Sequence, residues 1–337
     1  MRTPMAATYR AIMLTKAGGP ESLQAVELPV EAPAQGQLRV RIRAAGVGST
    51  DLIMLAGQYL YAPPFPFVPG YEIAGVVDAI GDGVSGFEIG QRVAALTVHG
   101  GFGEVLVRAA ADFVPIPDGV SDVDAAAVIL NYVTAWQMIH RVARVSAGQT
   151  ALVTGAAGGV GSALLQLLRL AGVKAYGAAS AGKHGTVSAL GAIPLDYRAG
   201  PLDRLVRALE PAGVDHVFDA VGGASIGPCI GAARRGGNVV GFGFMAVSGK
   251  LATARMFANL FVGARLRGRR GTFYGITALY RKNRKPFHED LPKIFELVAT
   301  RRIDPLVSAT FALFEARRAI ELLATGTVQG KLVLTNA

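Results

Sequence analysis

The spacing of apolar positions changes once along this chain. In the first third they come in short alternating runs. Leu38-Arg39-Val40-Arg41-Ile42-Arg43 puts aliphatic side chains on one face and arginines on the other, which predicts a half-buried strand. Residues 73–77, 92–96 and 104–107 are further predicted strands between Gly and Pro punctuation. Gly81-Asp82-Gly83 reads as a turn, and Pro63, Pro66 and Pro69 mark an irregular loop. From about Ser121 strands alternate with helical spacing: strands over 151–154, 173–178, 214–219 and 238–244, and helices over 160–171 and 183–190. Helices over 291–299 and 314–323 follow, and the chain ends in a strand over 330–334. The pattern predicts an α/β protein in which a doubly wound parallel sheet interrupts a β-rich domain, to which the tail returns. The expected boundaries are 1–128 with 278–337 for the β-rich domain and 129–277 for the sheet domain.

One turn carries chemistry. After the run Ala151-Leu152-Val153-Thr154 stand Gly155, Ala156, Ala157, Gly158, Gly159, Val160 and Gly161, and then the helical spacing Leu164, Leu165, Leu168. A strand, a glycine turn and a helix start make a pyrophosphate cradle. Without side chains the backbone can approach the phosphates, and the free N–H groups of the first helical turn meet their charge. Ala156 stands in place of the usual first glycine. The leading expectation is a dinucleotide-dependent oxidoreductase.

Composition narrows the classes. The 337 residues are 51% hydrophobic and 17% charged, enough apolar material for a sizeable core. No apolar run reaches membrane-spanning length; the richest, 125–139, is broken by Asn131, Thr134 and Gln137. The start shows no compact signal-peptide core. The single cysteine, Cys229, excludes an internal disulfide and a cysteine-based zinc site. A soluble, cytoplasmic protein is expected. The net charge of +10 is unevenly spread. No Asp or Glu occurs from Ala125 to Leu195, the window that holds the turn, while Arg265, Arg267, Arg269, Arg270, Arg281, Lys282, Arg284 and Lys285 crowd one stretch. That cluster reads first as a solvated surface and second as a contact for membrane headgroups or an acidic partner. Nucleic acid is not expected, because no aromatic platform alternates with the charges.

The cofactor can be read more finely. An NAD site carries an acid at the end of the second strand, about 20 residues after the glycines. Here that place reads Ala178-Ala179-Ser180-Ala181-Gly182-Lys183-His184, and no acid occurs before Asp196. The Ser180 hydroxyl and the Lys183 cation suit a 2′-phosphate. A lysine at a helix start opposes the helix dipole, which favours a binding role for it. NADP(H) is therefore the expected cofactor.

Several motifs occur in order: Ala45-Gly46-Val47-Gly48-Ser49-Thr50-Asp51, Pro69-Gly70-Tyr71-Glu72, Gly90-Gln91-Arg92-Val93, Asn131-Tyr132-Val133-Thr134-Ala135, the glycine turn, and Gly330-Lys331-Leu332-Val333-Leu334. Over nearly its whole length the chain resembles the medium-chain dehydrogenase/reductase superfamily, and within it the zinc-independent quinone oxidoreductase (ζ-crystallin-like) branch. The resemblance implies a GroES-like catalytic domain, split in sequence by a Rossmann domain. It also implies a homodimer formed across the last Rossmann strand, near Phe273 and Tyr274. Zinc-dependent members carry Cys at the place of Gly48 and His at that of Tyr71. Catalytic zinc needs about three protein ligands, and Gly48 supplies none, so no metal is expected. Gly48 also replaces the Asn common in the quinone branch, beside the nicotinamide. By the same resemblance Thr134 reaches the nicotinamide carboxamide and Tyr197 the adenosine phosphate. Gly241, Phe242 and Gly243 then edge the cofactor, with Phe244 and Met245 as candidate walls of the substrate pocket.

Without a metal Lewis acid, the expected substrates are small molecules that accept hydride readily, namely quinones and α,β-unsaturated carbonyls. The candidate proton donor is Tyr59, since Gly57-Gln58-Tyr59 is similar to the Gly-x-Tyr of related enoyl-thioester reductases. A phenol is a donor at neutral pH. Aromatic packing beside the cofactor explains Tyr59 equally well, and Tyr61 is a neighbouring decoy. Thr50 stands at the place of the alcohol dehydrogenase relay hydroxyl. The expected function is a zinc-independent, NADPH-dependent quinone or enone reductase. Two alternatives stay open. One is an enoyl-CoA reductase whose CoA phosphate meets the basic cluster. The other is a cofactor-binding protein without turnover, structural or associated with membrane or RNA.

Overall fold

The computed structural model describes residues 7–243 and 249–336. The chain forms two compact units, divided between Leu130 and Asn131 and again between Lys282 and Asn283. The first unit is built on strands. β1 (Thr8–Leu14) and β2 (Leu23–Pro29) form an antiparallel pair. A seven-stranded sheet joins β3 (Gln37–Val47), β4 (Glu72–Ile80), β5 (Arg92–Leu96), β6 (Val105–Ala109) and β7 (Phe113–Pro115) to two strands from the end of the chain.

The alternation in β3 is resolved by burial. Leu38, Val40 and Ile42 lie in the core, while Arg39 and Arg41 turn outward and share Asp78 at 2.8 and 3.0 Å. Each fully buried aliphatic side chain contributes about 2 kcal/mol, which fixes the register of this central strand.

The second unit is a six-stranded parallel sheet. In chain order its strands are β8 (Thr150–Thr154), β9 (Lys174–Ala179), β10 (Ile193–Asp196), β11 (Val214–Asp219), β12 (Ala233–Gly241) and β13 (Arg270–Phe273). Across the sheet they run β10-β9-β8-β11-β12-β13. The order reverses between β8 and β11, and in such a sheet ligands bind at the carboxyl ends of the strands beside that reversal. The tail returns as expected: β14 (Val307–Ala312) pairs β15 (Lys331–Thr335), which pairs β3 of the first unit.

Candidate functional site

In the second unit, β8 ends at Thr154 and the chain turns through Gly155–Gly158 into the helix Gly159–Leu170. Two causes make the turn. Gly158 N–H bonds the Gly155 carbonyl at 2.9 Å, closing it. Leu164, Leu165, Leu167 and Leu168 then bury the inner face of the helix. Ala156 and Ala157 are buried, and Ala156 N–H is held by the Ala178 carbonyl at 3.2 Å. The early N–H groups of this helix have no carbonyl one turn back, so they are available to an anion.

A cradle of this kind must stay free of side chains. A Cβ on Gly161 would collide with the Gly155 carbonyl oxygen and lie 2.8 Å from Ala156 Cα. Thr134, on the helix Asp122–Gln137, is buried, and among the described residues its Oγ1 has no hydrogen-bond partner. A buried hydroxyl left unpaired is costly and marks a place where a ligand can supply the missing partner. The glycine cradle and this orphan hydroxyl together fit a dinucleotide.

Ser180 follows β9, and Lys183 closes the short turn Ala181–Lys183 before the helix His184–Ala189. Both are half-buried, and burial pulls the Lys183 ammonium pKa down. Asp196 ends the neighbouring strand β10, paired with Ala179, and accepts the Arg198 backbone N–H at 2.9 Å. It therefore stabilises its own turn, on the strand beyond β9. Tyr197 is 49% exposed beside it. Gly241 ends β12, and Phe242 and Gly243 follow it at the carboxyl edge. Phe244 and Met245 lie outside the described residues.

The remaining candidates belong to the first unit. Tyr59 is half-buried, and its hydroxyl meets that of Tyr71 at 2.7 Å. Its ring stands edge-on to Tyr71 and to Tyr61. The Tyr71 phenol is buried, and burial, with Tyr59, Glu72 and Asp51 nearby, pushes its pKa well up. Tyr71 therefore stays protonated and can donate to Tyr59. Gly48 precedes the helix Ser49–Leu55, and Thr50 lies half-buried in its first turn. The Gly48 N–H is taken by Asp51 Oδ2 at 2.8 Å, and Asp51 N–H returns to the Gly48 carbonyl at 2.9 Å.

Asp51 is buried. Burial raises its pKa from 3.8 to about 7, against the lowering effect of the Gly48 N–H and of Lys331; Glu72 adds to the rise. The folded state thus holds a proton that the unfolded chain loses above pH 3.8. The stability associated with this group falls as pH rises from about 4 to 7. Asp51→Asn should flatten that part of the profile and gain on the wild type as pH rises. Urea midpoints measured from pH 4.5 to 8 check this, and parallel profiles for the two proteins would refute it.

Two features escaped the sequence reading. Asp219 ends β11 fully buried, and an acid just before Ala220-Val221-Gly222-Gly223 was the available signal. Lys331 and Glu72 form a buried ion pair although 259 residues separate them, and local sequence gives no sign of it. The basic stretch also resolves differently. Arg270 opens β13 opposite Asn238 of β12, so Arg265–Arg270 sit at the amino edge of the sheet, away from the glycine turn. Arg284 and Lys285 fall in the first unit, where Arg284 pairs Asp112 at 2.7 Å. Among the described residues no group of three His, Cys, Asp or Glu could hold a metal, and no helix is long and apolar enough to cross a membrane.

Comparison with known proteins agrees with this geometry. Residues 34–118 match the alcohol dehydrogenase GroES-like domain and residues 190–334 the zinc-binding dehydrogenase domain. The human synaptic vesicle membrane protein VAT-1 homolog-like is 30% identical over 337 residues, covering 96% of this chain and 80% of that protein. The chain belongs to the medium-chain dehydrogenase/reductase superfamily, in its quinone oxidoreductase branch. It is similar in structure to the Escherichia coli quinone oxidoreductase complexed with NADPH, with TM-score 0.88 and 28% identity over 97% of this chain and all of that one. The human synaptic vesicle membrane protein VAT-1 homolog is 36% identical over 75% of this chain, which spans 62% of that protein's length. The chain thus carries the GroES-like and Rossmann-type domains of that superfamily.

Proposed function

We propose that this chain is a zinc-independent, NADPH-dependent reductase of quinones or α,β-unsaturated carbonyls. The observation that carries the reading is the carboxyl edge of the parallel sheet. There the glycine cradle opens after β8, and Ser180 and Lys183, with no acid, follow β9. Bound NADPH supplies a hydride; the protein supplies position, exclusion of water and a proton. The helix N–H groups would hold the pyrophosphate, Ser180 and Lys183 the 2′-phosphate, Thr134 the carboxamide, and Tyr197 the adenosine side. Gly241, Phe242 and Gly243 would edge the cofactor.

Tyr59 is the proton donor in this reading. Tyr71, kept protonated by burial, donates to the Tyr59 oxygen and stabilises negative charge left there after proton transfer. Tyr59→Phe should lower kcat by about 10- to 100-fold, near the lower end of what a positioned acid contributes, and leave the NADPH Kd unchanged. Single-turnover kinetics with a quinone measure both; an unaltered kcat removes Tyr59 from the mechanism. Among the described residues β13 is an edge strand of the sheet, and an edge offers main-chain groups to a second copy, which supports the homodimer reading.

The deciding experiment measures oxidation of NADPH and NADH against quinones, enones and enoyl-CoAs. A preference for NADPH of about 100-fold in kcat/KM is expected, a size that two or three charge-assisted contacts to a phosphate provide. A preference for NADH would overturn the cofactor assignment. Tight NADPH binding without turnover of any acceptor would favour a binding role. The enoyl-CoA reading loses support from the position of Arg265–Arg270 at the opposite edge of the sheet.

A further inference from the structure

Two carboxylates on β11, four residues apart, tie it to β8. At the start of the strand, Asp215 accepts hydrogen bonds from Thr150 N–H and Oγ1 at 2.9 and 3.0 Å. At its end, Asp219 accepts one from Thr154 Oγ1 at 2.6 Å. The strands are parallel, so only the second pair lies at the edge that bears the glycine turn.

Asp219 also holds the loop that follows it. Oδ2 accepts Gly222 N–H at 2.9 Å, and the Ser225 hydroxyl lies 3.0 and 2.9 Å from the two oxygens. Thr154 Oγ1 in turn accepts Ala220 N–H at 3.0 Å, and the Asp219 carbonyl accepts Phe242 N–H at 2.9 Å. Residues 220–222 are therefore clamped between the turn after β8 and the chain after β12. The fit is close. A Cβ on Gly155 would lie 3.3 Å from Ala220 Cβ, and one on Gly243 would fall on the Ala220 carbonyl oxygen.

Asp219 is fully buried, and among the described residues no cation pairs with it. A buried carboxylate carries a desolvation cost that only good hydrogen bonds offset. The Gly222 N–H can only donate, and the Thr154 and Ser225 hydroxyls can both turn their protons to the carboxylate, so a side chain with two acceptor oxygens satisfies all three. An asparagine would offer one acceptor oxygen in place of two and require a hydroxyl to reverse its role.

We propose that Asp219 is a positioning residue for the dinucleotide, fixing loop 220–222 against the glycine turn so that the phosphate cradle is formed before the cofactor arrives. This rests on the NADPH reading above. The test compares Asp219→Asn and Thr154→Val with the matched pair Asp215→Asn and Thr150→Val, which cut the same two strands apart at the other end. NADPH Kd is measured by fluorescence titration, at a temperature where circular dichroism shows every variant folded. All four variants should lose thermal stability. Only the Asp219 and Thr154 variants should raise Kd, by about tenfold, with kcat at saturating NADPH within about twofold of wild type. Unchanged Kd in those two, or an equal rise in the Asp215 and Thr150 variants, overturns the proposal. Failure of the wild type to bind either dinucleotide would instead remove the NADPH reading on which it stands.

Discussion

Gly161→Val should abolish measurable NADPH binding, raising Kd by roughly 1000-fold, about 4 kcal/mol. The reason is local. The helix Gly159–Leu170 starts so close under the turn that a Cβ at 161 would strike the Gly155 carbonyl oxygen and crowd Ala156. Those contacts are backbone, and no side chain can rotate away to make room. The turn must open or the helix must slide, and either displaces the N–H groups that face the phosphates. The fold should survive. The helix is also anchored beyond its first turn by the buried Leu164, Leu165, Leu167 and Leu168, so the loss of stability should stay within about 1–3 kcal/mol. Isothermal titration with NADPH, beside a thermal melt, separates the two effects. Wild-type affinity in a folded Gly161→Val protein would rule out the turn as the cradle.

The turn could be read from sequence because its parts are consecutive: strand, glycines and helix occupy 150–170 without interruption. β3 was legible for a similar reason, since one face buries Leu38, Val40 and Ile42 and the other does not. Reading failed where tertiary contacts override local signs. β12 begins at Ala233, five residues before its expected start, because Arg234 and Arg235 can sit in a strand with their charged ends in solvent; Arg234 reaches Asp215 at 2.6 Å. The helix Lys285–Ala299 begins six residues earlier than its spacing suggested. Pro286 stands in its first turn, where a missing N–H costs nothing, and Pro292 lies inside it. The carboxyl-edge clamp on Asp219 and the ion pair of Lys331 join residues that only the folded sheets bring together.

That ion pair carries the second large effect. Lys331→Met should destabilise the protein by about 3–5 kcal/mol, the usual consequence of leaving one buried charge without its partner. Lys331 opens β15 and Glu72 opens β4, with β3 between them in the sheet. The two side chains meet across that middle strand because it carries glycine there. A Cβ on Gly46 would fall on Glu72 Oε1 and lie 2.6 Å from Lys331 Cε; one on Gly48 would lie 3.4 Å from Lys331 Nζ. The glycines of Gly46-Val47-Gly48 thus make room for a buried cation where zinc-dependent members of the superfamily place a metal ligand. Glu72 also accepts Leu130 N–H at 2.6 Å through Oε2, and both groups act on Asp51. With the ammonium removed, the buried Glu72 carboxylate keeps the Leu130 N–H but loses its charged partner. The double variant Glu72→Gln/Lys331→Met removes both charges, and its glutamine can still accept Leu130 N–H. It should recover most of the stability, since a neutral pair of similar volume often replaces a buried ion pair at little cost. Urea unfolding of the wild type, both single variants and the double variant gives the coupling energy directly. A single-variant loss below about 1 kcal/mol, the range of an exposed pair, or a double variant no more stable than Lys331→Met, would show that the pair does not hold β15 to β4.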